Sequence, residues 1–484
     1  MTFRSTTRTT LAAAGAALAA AACSSDPVLV GTTPPSGAAP FMARYVAVGN
    51  SITAGFQSGG INDSTQRRSY ARMLAIAAGL DSSGFRYPSL RAPGCPAPIA
   101  NFITGVRTSG DTASACALRD PASVTASLND VAVPGANSFD AVGLGLTAGA
   151  AGSLTTGGYS VLTALILGGQ SQLQRAVQLD PTFATVWIGN NDVLAGALGA
   201  GGTAAAPVTP GDSARATTVA NFRSNYATLV NGLVSGSRNL KGGVLIGVVD
   251  PTNAPILVPF AVFNPNVAGS SQAAYGAVLG VFGVTGFSPT PTRPATFRLN
   301  FAANCTTSAA AIPFPALVAL NRVIPAAAPG FTIDCSGTTP LNPLAAPSAT
   351  NPPQSAFFVT DAERAFYSGR VAAYNAYIQA KADSVGFAYL DPNVLFAQLR
   401  SGGAIPLFPN LANPTAPFAT AAGRYVSNDG VHPSTSAHYV FANALIALIN
   451  QKYGASLGAN IRALTPADTL PAALGAATSV TAVR

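Results

Sequence analysis

The chain has 484 residues and is 48% hydrophobic, enough to bury a sizeable core; its 48 glycines and 37 prolines stay below the roughly 25–30% that marks low-complexity chains. Its 26 basic and 18 acidic residues make 9% charged side chains against about 25% in ordinary domains, which excludes a highly charged disordered protein. The net charge of +8 comes from scattered Arg, with no basic stripe interleaved with aromatics, so nucleic acid is excluded as a partner.

Arg4 and Arg8 precede an uncharged, Ala-rich stretch from Leu11 to Ala22 that ends at Cys23. A basic start, a short apolar segment and small residues before a break predict a secretory signal peptide over residues 1–22. The stretch falls short of the about 20 apolar residues that a spanning helix needs. Leu18 to Cys23, LAAAAC, resembles a bacterial lipobox, in which the Cys is lipidated and becomes the amino terminus; Ala20 stands where that motif prefers Leu. Cleavage after an A-x-A site without lipid is the alternative. Small, polar and Pro-containing residues then predict a flexible tether over 23–43. One domain is expected over 44–453 and a C-terminal tail over 454–484. The expected location is the cell envelope, with a membrane anchor if Cys23 is lipidated and secretion otherwise.

The other cysteines are Cys95, Cys116, Cys305 and Cys335, none in a CxxC pair. With two histidines in the whole chain, a Cys/His zinc site is not expected. Disulfides are expected instead, as in an oxidising compartment. Pairing neighbours would close two local loops, although three connectivities are open.

In chain order, Tyr45 to Val48 is an apolar run ending at Gly49, predicted as a buried strand. Ser69 to Leu80 has helical spacing. Thr185 to Ile188, before Gly189, is a second predicted strand. A helix follows in which Val219, Phe222, Tyr226, Leu229, Val230 and Leu233 share a face, then a strand over Val244 to Val249. Thr360 and Glu363 have capping-box spacing ahead of a helix that presents Phe366, Ala373, Tyr374, Tyr377 and Ile378 on one side; a strand over Phe387 to Leu390 comes next. Strands alternating with helices predict an α/β fold with a parallel sheet covered on both faces. From Pro251 to Thr292 no charged side chain occurs, and two readings stand: chain packed on the core, or an apolar cap over a site for greasy substrates.

Four short blocks carry chemistry. Ser51, in GNSITAGFQ, lies just past the first strand, at the carboxyl edge of the sheet where α/β proteins bind ligands. Asp429 and His432, in DGVHP, supply a base and the acceptor that fixes its tautomer from one loop. His438, in a predicted helix, is expected to be a bystander. In GNND, Gly189 to Asp192, an Asn amide follows a strand, and in NDVAVPGA, Asn129 to Ala136, Gly135 offers an unobstructed N–H. Trp187 is expected in the core.

Together, and in this order, the blocks resemble those of the GDSL/SGNH hydrolase family. The resemblance implies a flavodoxin-like three-layer α/β/α sandwich with a mainly parallel sheet and large loop insertions, notably 251–355. It implies Ser51 as nucleophile, His432 as general base and Asp429 as its orienting partner. The N–H groups of Ser51 and Gly135 and the side-chain amide of Asn191 would form the oxyanion hole. No metal or organic cofactor is implied. Asn50 stands where the family has Asp, a near-isosteric neutral residue that keeps hydrogen bonding and loses any charge-dependent role. The expected activity is hydrolysis of carboxylic esters of small molecules or lipids through an acyl-enzyme. The competing readings are a carbohydrate O-acetylesterase and a non-catalytic envelope lipoprotein that binds ligands.

Overall fold

The computed structural model describes residues 40–80, 84–102, 105–112, 127–143, 166–199, 209–271, 275, 299–317, 331–341, 348, 351–410 and 423–465. Cys23, Cys116 and most of the apolar run from Ala273 to Phe287 lie outside them.

The strands are β1 (Tyr45–Gly49), β2 (Phe183–Trp187), β3 (Gly242–Ile246), β4 (Leu257–Pro259), β5 (Leu299–Phe301), β6 (Ala311–Pro313), β7 (Phe331–Ile333) and β8 (Ala388–Leu390). The helices used below are α1 (Ser51–Ala54), α2 (Asp63–Gln66), α3 (Tyr70–Ala77), α4 (Ser138–Val142), α5 (Gln172–Gln178) and α6 (Asn191–Leu198). They continue with α7 (Val219–Gly236), α8 (Asp361–Val385), α9 (Pro392–Ser401) and α10 (Thr435–Leu457).

The protein is of the α/β class, built on a parallel sheet in the order β1-β2-β3-β8. Every residue of β1, β2 and β3 is buried, as expected of parallel strands with both faces covered. Because side chains alternate along a strand, the sheet feeds two cores. Tyr45, Ala47, Phe183, Trp187, Val244 and Ile246 meet α3, α9 and α10 on one face. Val46, Val48, Ala184, Val186 and Leu245 meet α4 to α8 on the other. Outside β1, Asn129 to Val133 adds a further parallel segment: Ala47 donates to the Asn129 carbonyl at 2.7 Å and receives Val131 N–H at 2.9 Å. The sequence marked this stretch only as a block of chemistry and not as part of the sheet.

Helix starts follow their caps. Ser69 accepts from Arg72 N–H at the head of α3, and Thr360 and Glu363 form a reciprocal capping box at the head of α8. The buried face of α8 is rotated from the expected one: Tyr367, Val371, Tyr374 and Ile378 are buried, while Phe366 and Tyr377 are half-buried. The Tyr367 hydroxyl donates to the Asp212 carbonyl at 2.6 Å, so the loop before α7 pulls this face inward.

Two strands are shifted from their expected ranges. β3 begins at Gly242 and Gly243, because the Tyr453 and Phe387 rings occupy the space where side chains would lie; a Cβ would come within 2.8 Å and 2.6 Å of them. Gly247 N–H still reaches the Leu390 carbonyl at 2.9 Å, but beyond it side chains take the donors: Val248 N–H goes to Asn375 Oδ1 at 2.6 Å and Val249 N–H to Asn190 Oδ1 at 2.8 Å. β2 likewise takes in Phe183, whose ring packs edge-on against Phe41 and Tyr453.

The described part of the 251–355 insertion packs on the first core. β4 pairs antiparallel with β6, β5 pairs parallel with β7, and Phe260, Phe263, Phe301, Ile312 and Phe314 join the α10 face. Cys305 is bonded to Cys335, closing the local loop across β5 and β7, and Cys95 is also disulfide-bonded. After α10 the chain packs back on it, with the Leu464 carbonyl accepting from the Tyr439 hydroxyl at 3.0 Å. Among the described residues no helix is long and apolar enough to cross a membrane.

The disulfide spans 30 positions, so chain-entropy reasoning predicts that replacing Cys305 and Cys335 by Ala lowers the unfolding free energy by about 3–4 kcal/mol. Urea denaturation of the double variant checks this. Asp130, in the added edge segment, has its pKa raised to about 8 by burial, partly offset by its bond from Ala132 N–H. A folded-state value above the unfolded value means stability is full at low pH and is lost as pH rises through about 8. Unfolding free energy is therefore expected to fall between about pH 6 and pH 8. Asp130→Asn is expected to remove that slope; an equal slope in both proteins would contradict this account.

Candidate active site

β1 ends at Gly49 and the chain turns at once into α1, so the first helical residue, Ser51, stands at the carboxyl edge of the sheet. Asn50, fully buried, shapes that turn by accepting Ile52 N–H on its Oδ1 at 3.0 Å. The neutral residue thus supplies the cap, while its Nδ2 is buried without a partner. Gly49 N–H donates to Gln172 Oε1 at 2.9 Å, which fixes the last residue of β1 from α5.

The loop before α10 brings the other two residues. Asp429 folds its own turn, its Oδ1 accepting Val431 N–H at 2.9 Å and His432 N–H at 2.8 Å. Gly430 adopts φ 70°, and a Cβ there would meet Ile256 Cβ at 2.9 Å, so glycine is required. Asp429 Oδ2 lies 2.8 Å from His432 Nδ1 and also accepts Gly59 N–H at 2.7 Å. His432 Nε2 lies 2.9 Å from Ser51 Oγ. The structure therefore joins Ser51, His432 and Asp429 in one hydrogen-bonded chain. The loop after α1 is laced to the same turn: Ser58 N–H donates to Ser427 Oγ at 2.9 Å, and the Phe56 ring centroid lies 4.8 Å from that of His432.

The electrostatics fit a fixed anion under the imidazole. Burial would push the Asp429 carboxyl up, but the His432 charge and the surrounding donors outweigh it and hold the group down at about 2. His432 is therefore oriented with Nδ1–H toward a carboxylate, leaving the Nε2 lone pair for Ser51. His438 is different. It is fully buried, its Nδ1 accepts Tyr70 N–H, and burial followed by the His432 charge pushes it down to about 3, so it is a neutral core residue.

The GNND and PGA blocks meet beside Ser51. Asn191, at the start of α6, donates from Nδ2 to the Ala136 carbonyl at 2.8 Å, which sets its amide next to Gly135. Gly135 is exposed with φ 81°. Asp192 locks the two loops together, its carboxylate accepting Ser138 N–H at 2.8 Å and Ser138 Oγ at 2.6 Å. Burial raises Asp192 to about 6 against these bonds. A cavity of about 180 Å³ opens from Ser51 and His432, walled by Leu194, Phe396, Ile405 and Val431, with Asp250 and Arg400 also on its lining. Among the described residues no group of three or more His, Cys, Asp or Glu is placed to hold a metal ion.

The chain matches no protein-family model, and no curated protein matches it.

Several residues that brace the site had no signal in the sequence. Gln172, Gly59 and Ser427 act through single hydrogen bonds between segments far apart in the chain. The cavity wall from α9 came from a segment without a distinctive motif. Asn191 did carry a signal, its place after a strand.

Removing the cap on α1 should be measurable without touching Ser51. Asn50→Ala is expected to cost about 1 kcal/mol of stability, because the turn carrying Ser51 loses its side-chain clamp at Ile52 N–H. Thermal denaturation of the variant beside the unmodified protein checks this.

Proposed function

We propose that the protein is an exported serine esterase of the GDSL/SGNH type, acting on carboxylic esters of small molecules or lipids through an acyl-enzyme. The observation that carries this reading is the continuous chain Ser51 Oγ–His432 Nε2 and His432 Nδ1–Asp429 Oδ2, at 2.9 Å and 2.8 Å. The strand order supports it. With Asn129 to Val133 taken as the second strand, the sheet runs 2-1-3-4-5, the flavodoxin-like order of a three-layer sandwich, with the site at the point where the order reverses. The apolar walls of the cavity favour an acyl or alcohol portion larger than acetyl. The Cys305–Cys335 bond agrees with export to an oxidising compartment, where Cys23 would serve as the lipid anchor.

In this mechanism His432 Nε2 takes the Ser51 proton as Oγ attacks the ester carbonyl. Asp429 stays ionised and stabilises the imidazolium. Ser51 N–H, Gly135 N–H and Asn191 Nδ2 donate to the oxyanion as charge develops on it. His432 then returns the proton to the departing alcohol, the acyl group remains on Ser51, and water activated by His432 releases the acid.

The test is hydrolysis of p-nitrophenyl esters from acetate to palmitate by the mature domain. Ser51→Ala and His432→Ala are each expected to lower kcat by on the order of 10⁴–10⁶, and Asn191→Ala by about 10²–10³. Full activity in Ser51→Ala would overturn the mechanism, and a sharp acetate optimum would redirect the substrate to acetylated glycans.

A further inference from the structure

We propose that Arg400 is a specificity-determining residue, selecting esters that carry a carboxylate on the portion filling the cavity beside Ser51. The proposal rests on the esterase reading and names a substrate class for it.

Arg400 lines the same cavity as Ser51 and His432, and it stands at an exposed position in the last turn of α9. The walls between are largely apolar, so the guanidinium is a charge placed at the edge of a greasy slot. One of its nitrogens, Nη2, donates to the Asn253 carbonyl, which anchors the group. A guanidinium has five N–H donors, and its planar fork matches a carboxylate in bidentate fashion. An anchored fork has lost part of its freedom before any ligand binds, which lowers the cost of recognition.

The charges around it are unequal. Asp250 and Asp361 both act on Arg364, the neighbouring cation. Arg400 has Arg364 as its charged neighbour, and among the described residues no carboxylate forms an ion pair with it. Partial burial and the Arg364 charge push its pKa down, in the direction that a bound anion would reverse. Asp250 also lines the cavity, but its oxygens are engaged: Oδ1 accepts from Thr252 N–H and Oγ1, and Oδ2 accepts from Ser368 Oγ at 2.6 Å. A carboxylate on the substrate would supply the counter-charge that Arg400 lacks. A cation in the last turn of a helix also favours the terminal carbonyls, a purely structural role. That role predicts no discrimination between charged and neutral esters.

Two matched ester pairs separate these outcomes and the two ends of the ester. The first is p-nitrophenyl hexanoate against the mono-p-nitrophenyl ester of adipic acid, with the carboxylate on the acyl side. The second is phenyl butyrate against 4-carboxyphenyl butyrate, with it on the alcohol side. For each pair the ratio of kcat/KM, charged over neutral, is measured for the unmodified domain, Arg400→Gln and Arg400→Lys. In one pair the ratio is expected to drop by about tenfold or more in Arg400→Gln and to be partly kept in Arg400→Lys, since Lys retains the charge without the fork. Adipate is likewise expected to inhibit the unmodified domain more strongly than hexanoate, a readout that needs no variant. Ratios unmoved by Arg400→Gln in both pairs, with the neutral esters still hydrolysed and adipate no better than hexanoate, would overturn the role of Arg400 and leave the esterase standing. No hydrolysis of any of the four esters by the unmodified domain would overturn both.

Discussion

The 2.9 Å contact between Ser51 Oγ and His432 Nε2 joins residues 381 positions apart, and the rest of the structure is arranged to hold it. Ser51 is placed by β1, which is fixed on both sides by parallel neighbours and on both faces by packed helices. His432 is placed by a turn that Asp429 folds around itself and that Gly59 and Ser58 tie back to the loop after α1. A side-chain hydrogen bond is weak on its own, worth about 1 kcal/mol net, so it cannot gather these loops. The two cores do that, and the hydrogen bonds then choose the geometry.

Three aspartates, two buried and one half-buried, show how neighbouring donors decide the charge state of one residue type. Burial pushes each carboxyl up. Asp429, facing His432, Gly59 N–H, Val431 N–H and its own loop, ends at about 2. Asp192, with the Ser138 hydroxyl and N–H, ends at about 6. Asp130, whose carboxyl accepts from Ala132 N–H, ends at about 8. Asp429 is thus held as a fixed anion under His432, while Asp192 links its loop to Ser138 and Asp130 caps its own segment at Ala132.

The low charge of the chain finds its physical place in this arrangement. Two cores on either side of the sheet, together with the insertion that packs Phe260, Phe263 and Phe301 against one of them, demand apolar sequence over most of the chain. The same insertion and α9 wall the cavity, so the segments that lengthen the chain also shape what can approach Ser51.

The sequence by itself determined the α/β class, because alternating apolar strands and amphipathic helices are local patterns. It also singled out Ser51, Asp429 and His432, because a DxxH turn and a serine after a buried strand are short-range signatures. Tertiary structure alone decided where β3 starts and stops, since the Tyr453 and Phe387 rings and the Asn375 and Asn190 side chains that set its limits arrive from remote segments. It decided equally that Asn129 to Val133 lies along β1, that α8 turns Tyr367 inward, and that Arg400 shares a cavity with Ser51. Those outcomes depend on which surfaces meet once the cores close, and no local pattern of residues encodes such a meeting.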